Sequence, residues 1–149
     1  MSSGKPGSVM PDPATPFGER VARRLRDDIV IWLTVVDAHG TPQPAPVWFV
    51  WDGATFLIFS RDDARRNTHI RAHPQVALNF DGNGKGGDII VITGEARIVE
   101  GDPPTHEVPA YVAKYGERMA RLYPGQPLEA FSARYPVVIR VTPRRVRGF

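Results

Sequence analysis

The residues best suited to chemistry are Ser60, Arg61, Arg65 and Arg66, which follow the apolar run Phe56-Leu57-Ile58-Phe59. That run reads as a strand. A short helix-like turn follows, carrying further basic residues to Pro74, and a second apolar strand begins behind it. A hydroxyl, backbone N–H groups and guanidinium forks therefore gather where a strand ends and a helix starts. Such a set of charge-assisted donors accepts a phosphate. The competing reading is a solvated helix face on which Asp62 and Asp63 pair with the arginines. His39, His69, His73 and His106 are weaker candidates as proton donors, because an imidazole in a turn or on a helix surface is ordinarily just solvated. No Ser-His-Asp set and no metal-ligand spacing can be assembled, so no catalytic residue and no metal ligand is nominated.

The elements that must position this cluster follow from periodicity. Phe17, Val21 and Leu25 recur every four residues between Arg and Asp and predict an amphipathic first helix. Ile29 to Val36 is a nearly continuous β-branched run and predicts a strand buried on both faces. Val47 to Trp51 reads as a second strand, and Asp52-Gly53 before Thr55 to Ser60 signals a hairpin. Further strands are expected over Val76 to Phe80, Asp88 to Val99 and Val137 to Val141. A Gly-rich loop holding Lys85 joins the first two of these. Val108, Val112, Tyr115, Met119 and Leu122 mark a helix, and Leu128 to Ala133 a shorter one. Antiparallel strands with few, peripheral helices predict a mainly β fold, a small barrel formed by one domain over 17–149. Met1 to Pro16, rich in Gly, Ser and Pro, reads as a flexible leader without the apolar core of a secretion signal.

Bulk properties narrow the function classes. At 149 residues and 42% apolar residues, one domain with a substantial core is expected. The chain has no cysteine, which removes disulfide and thiolate chemistry and suits a cytoplasmic protein. No apolar run reaches the roughly 20 residues of a membrane span. The net charge of +3 is too small to argue for nucleic acid, although 16 of the 19 basic residues are the phosphate-suited Arg. A nucleic-acid-binding barrel is further disfavoured because the aromatics lie in apolar runs such as Val47 to Trp51.

Several stretches in order resemble one family. They are Gly40-Thr41-Pro42-Gln43-Pro44-Ala45-Pro46-Val47-Trp48-Phe49, the Ser60 to Pro74 segment with Gln75 to Phe80 behind it, and Val91-Ile92-Thr93-Gly94-Glu95-Ala96-Arg97-Ile98. Together they are similar to the FMN-binding split β-barrel family that includes the pyridoxamine 5'-phosphate oxidases. The tail Arg144-Arg145-Val146-Arg147-Gly148-Phe149 resembles the actinobacterial branch of deazaflavin (coenzyme F420)-dependent oxidoreductases. The resemblance implies a homodimer with cofactor sites at the subunit interface. It puts Arg66 in the place of a phosphate-holding basic residue, usually Lys, with Ser60 and Arg61 as further phosphate donors. Pro46, Val47 and Trp48 fall on the strand that lines the cofactor ring, and Asn79 on its neighbour. Three departures stand out. Thr68 and His69 replace an Arg-Asn pair, Arg replaces Lys at 66, and the C-terminus lacks the Arg-x-His element that pyridoxamine oxidases use on their substrate.

The expected cofactor is F420, with FMN as the alternative. The polyanionic tail of the deazaflavin needs an extended basic groove, for which Arg61, Arg65, Arg66, Arg71 and Lys85 are candidates. The expected activity is hydride transfer between reduced F420 and a small unsaturated substrate. The other readings are an FMN-dependent oxidoreductase and a non-catalytic flavin, deazaflavin or haem carrier of the same fold.

Overall fold

The computed structural model describes residues 8–149. Residues 1–7 of the expected leader lie outside that range. Residues 8–15 run against the barrel, where Met10 packs on the core. The Thr15 side chain then accepts from the Gly18 N–H and caps helix α1, Pro16–Asp27. The chain continues as β1 (Ile31–Val36), β2 (Pro42–Val47), β3 (Val50–Trp51), β4 (Phe56–Ser60), α2 (Arg65–Ala72), β5 (Gln75–Asn79) and β6 (Ile90–Val99). A single 3₁₀ turn over Thr105–Glu107 precedes α3 (Pro109–Leu122), α4 (Leu128–Arg134) and β7 (Val137–Gly148).

All seven strands form one antiparallel sheet in the order β2-β1-β5-β6-β7-β4-β3. Its two edge strands, β2 and β3, are separated in sequence by Trp48 and Phe49 alone. Two edges joined by so short a link must approach one another, so the sheet curls into a barrel split at the β2/β3 seam. The expected mainly β split barrel with peripheral helices is the fold observed.

The seam explains the first difference from the sequence reading, in which Val47 to Trp51 was one strand. Phe49 leaves the ladder because its backbone is claimed from outside. Its N–H donates to the Tyr115 hydroxyl (2.9 Å) and its C=O accepts from Lys114 Nζ (3.0 Å). Strand β2 carries Pro42, Pro44 and Pro46, which residue propensity argues against. All three sit at one parity, so their missing N–H groups fall on the free edge while Gln43, Ala45 and Val47 face β1.

Two further strands differ from expectation. Strand β1 is buried on one face only: Ile31, Leu33 and Val35 point into the barrel, and Trp32, Thr34 and Val36 stay half-exposed on the outside. Strand β7 does not stop at Val141 but continues through the arginine-rich tail to Gly148, paired with β6. Pro143 is accommodated because a register shift at Thr93/Gly94 leaves Arg144 as an extra residue. Gly94 permits that crossing, since any Cβ there would lie 2.2 Å from the Thr142 carbonyl oxygen. The Asp52-Gly53 hairpin forms as expected, with Gly53 at φ 95° and Asp52 Oδ1 accepting from Ala54 and Thr55 N–H.

The barrel interior is filled by Ile31, Leu33, Phe49, Phe56, Ile58, Leu78, Ile92 and Ile139, closed by Val21 and Leu25 of α1. Burial of each such side chain contributes about 1.5–3 kcal/mol. A second apolar cluster lies on the outer side of β4, where Leu57 and Phe59 meet Tyr111, Tyr115 and Met119 of α3 and Phe131 of α4. Helices α3 and α4 are thereby held beside the seam.

Candidate functional site

Two cavities run along β2 and share Arg66. One, about 330 Å³, is walled by Pro46, Val47 and Trp48 at the end of β2, by Phe59, Arg61 and Arg66, and by aromatics of the α3–α4 region. The other, about 450 Å³, lies further along β2 against Gln43 to Ala45 and is flanked by His39, Arg65, Arg66 and His69, and by Asp37, whose carboxylate accepts from the His39 and Thr41 N–H groups and from Gln43 Nε2. The first is aromatic, the second has two arginines against one carboxylate and so is net basic, and Arg66 stands between them.

Arg66 is the second residue of α2 and is half-buried. Its guanidinium makes no hydrogen bond and no ion pair with any described residue. Burial lowers its pKa, opposed only by Tyr135, so the site holds a partly desolvated cation that lacks a counter-charge. Arg65 is exposed on the same first turn and is likewise unpaired among the described residues. Ala64 occupies the N-cap of α2 and offers no side-chain acceptor for the helix amides. Ser60, 1% exposed at the end of β4, has an unpartnered Oγ, as does Asn67 at its Oδ1. The other side-chain atom of Asn67, Nδ2, donates to the Arg61 C=O (2.7 Å) and pins the turn between strand and helix. The unmatched cations and the uncapped helix start form a donor set that suits a phosphate.

The remaining sequence candidates divide. Arg61 is exposed and its Nε bonds Asp63 at 3.2 Å, so for this arginine the surface-pair reading holds. Trp48 lies parallel to Tyr115 (centroids 4.6 Å, 6°) and to Phe131 (5.7 Å, 9°), and still lines the aromatic cavity. Asn79 sits on the outer face of the sheet, paired with Trp32, which in turn pairs with Pro46. Its Nδ2 donates to the Phe80 C=O. Lys85 is exposed in the β5–β6 loop, and neither it nor Asn79 lines either cavity. Thus Pro46, Val47, Trp48, Arg61, Arg65 and Arg66 come together, Ser60 lies at the end of the strand leading to them, and Asn79 and Lys85 stand apart.

Sequence reasoning missed the aromatic wall. Tyr111, Tyr123, Phe131 and Tyr135 line the smaller cavity. Phe131 and Tyr135 stack at 4.6 Å, one helical turn apart, the i, i+4 signal that could have drawn attention to them. Burial, reinforced by a hydrogen bond with Tyr123, raises the Tyr135 phenol.

This barrel, with a basic helix start beside its seam, is matched by one sequence profile, that of the pyridoxamine 5'-phosphate oxidases, over residues 17–149. The chain belongs to that family. Among solved structures it is similar to a pyridoxamine 5'-phosphate oxidase homologue from Listeria innocua (21% identity, 87% of this chain and 94% of that one, TM-score 0.61). It is also similar to an F420 reductase (24%, 83% and 92%, TM-score 0.64). A third is the haem storage protein HutZ from Vibrio cholerae (15%, 90% and 95%, TM-score 0.62). At these identities the likeness is one of fold. A comparison with curated proteins yields no match. Among the described residues no helix is long and apolar enough to cross a membrane.

Proposed function

We propose that the protein is an F420-dependent oxidoreductase acting on a small unsaturated substrate. The observation that carries this reading is Arg66, a half-buried cation without a counter-ion, set between an aromatic cavity and a basic one. A deazaflavin has three parts in the same order: a planar ring, a phosphate and an anionic tail. Arg66 and the first turn of α2 would hold the phosphate, with Ser60 behind them. Pro46, Val47 and Trp48 would line the ring, and Arg65 and His69 would flank the tail. When bound, the cofactor supplies hydride chemistry, and the chain supplies position and electrostatics. The aromatic wall would exclude water from the reacting face.

The reading includes a homodimer and a cytoplasmic location. In support of the dimer, the outer face of the sheet is uncharged across Trp32, Thr34 and Val36 of β1, Ala77 and Asn79 of β5, and Val91 and Thr93 of β6. A second copy seated there would bring Asn79 to the interface. FMN is the alternative cofactor, because it shares the ring and the phosphate. The basic cavity beyond Arg66 is what favours the longer anion.

A fluorescence titration with F420 and with FMN, at low and at physiological salt, tests the reading. F420 is expected to bind the more tightly, with an affinity that falls as salt rises. Preference for FMN would move the protein to the flavin-dependent enzymes, and binding of neither would remove the proposal.

A further inference from the structure

A third cavity, about 670 Å³, lies away from Arg66, in a cleft between α1 and α3 floored by β3. That volume is within the usual range for small-ligand sites. Val21 and Leu25 of α1, Val50 and Trp51 of β3, and Ala110 and Ala113 of α3 give it apolar walls, and Met10 closes one side. Lys114 and Arg26 also line it, and Arg26 is already paired with Asp27. The Lys114 ammonium donates to the Phe49 C=O at 3.0 Å and sits 3.8 Å from the centroid of the Phe49 ring. No carboxylate of the described residues pairs with it. The two acidic residues that influence it are committed elsewhere: Asp28 to Arg24 at 2.7 Å and Asp27 to Arg26 at 2.8 Å. The cleft therefore combines a long apolar wall with one cation that lacks a counter-charge.

We propose that this cleft binds an amphiphilic carboxylate, its apolar body between α1 and α3 and its carboxylate on the Lys114 ammonium. Burial lowers the Lys114 pKa to about 8, and a bound carboxylate offsets that cost by supplying the missing charge. A neutral amphiphile of equal length gains the apolar contact and not the ion pair. An amphiphilic amine gains the contact and meets a like charge. This site is separate from the Arg66 groove and does not depend on the cofactor assignment.

The test is calorimetric titration of the full chain with decanoate, decanol and decylamine. Decanoate is expected to bind about tenfold or more tightly than decanol, the ratio for one hydrogen bond to a charged group, and decylamine least. Ala113→Phe, which fills the cleft from an exposed helix position, should abolish decanoate binding. Lys114→Met should bring acid and alcohol to equal affinity, and Arg66→Ala should change nothing. Because Lys114 also holds the Phe49 C=O, the thermal midpoint of each variant is read alongside, and Ala113→Phe carries the test if Lys114→Met does not fold. Equal binding of acid and alcohol to the wild type, retention in Ala113→Phe, or loss in Arg66→Ala would each overturn the proposal.

Discussion

Two groups of arginines in this molecule have the same chemistry and opposite surroundings. Arg24 is saturated. It bonds Asp28 through Nε (2.7 Å), Asp88 through one terminal nitrogen (2.6 Å) and the Asp81 C=O through the other (2.8 Å). Arg20 adds a second bond to Asp88 at 2.7 Å, and the pair holds that residue at φ 56°, in the left-handed region. Arg65 and Arg66 have no such partners among the described residues, although two aspartates lie just before them in sequence. The first cluster ties α1 to the β5–β6 loop. The second has no carboxylate partner among the described residues. What separates the two groups here is not burial, since Arg66 is partly buried too, but whether the fold supplies a carboxylate.

The sharpest way to break this contrast is to remove one arginine from each cluster. Arg24→Ala should lower stability by about 3 kcal/mol in urea unfolding, because a largely buried guanidinium leaves two carboxylates and a carbonyl short of a partner. It should leave cofactor affinity unchanged. Arg66→Ala should do the reverse, weakening F420 binding by about 2 kcal/mol in a fluorescence titration with little change in unfolding. A stability loss as large as that of Arg24→Ala would mean that Arg66 is structural after all.

Lys114 supplies an intermediate case, a half-buried cation held by a carbonyl and a ring. Its pKa falls from 10.5 to about 8 on folding. Between those values the unfolded chain holds a proton that the folded chain has shed, so its contribution to stability rises with pH from about 8 to 10.5. Urea unfolding of the wild type against Lys114→Met over that window should show the rise in the wild type alone. Smallest of all is Arg61→Ala. Arg61 is exposed and already paired with Asp63, so about 0.5 kcal/mol or less of F420 affinity should be lost. A loss equal to that of Arg66→Ala would show that the Asp63 pair opens to receive the ligand.

The places where the sequence reading departed from the structure share a cause. Asp52-Gly53 and the four-residue stripe of α1 were legible because hairpin chemistry and helical periodicity are local. Strand β2 was not, since three prolines deny it by propensity and only their common parity on an edge strand permits it. The extension of β7 past Val141 was hidden by Pro143 and the arginines, and it becomes possible only with the shift in register beside Gly94. The break at Phe49 depends on Tyr115 and Lys114, more than 60 residues away. Likewise the phosphate-suited segment from Ser60 to Arg66 could be read directly, because a strand end and a helix start are contiguous there. Its aromatic wall could not, because Tyr111, Phe131 and Tyr135 reach it only when α3 and α4 pack beside the seam.

By itself the sequence determined the helices, the strands whose apolar pattern is local and the chemical character of one loop, since each is set by neighbours a few residues apart. Tertiary structure alone decided which cations remain without carboxylates. Arg24 and Arg66 are indistinguishable as residue types. Their fates diverge because curling of the sheet carries Asp88 to Arg24 across 64 residues and, among the described residues, pairs no carboxylate with Arg66.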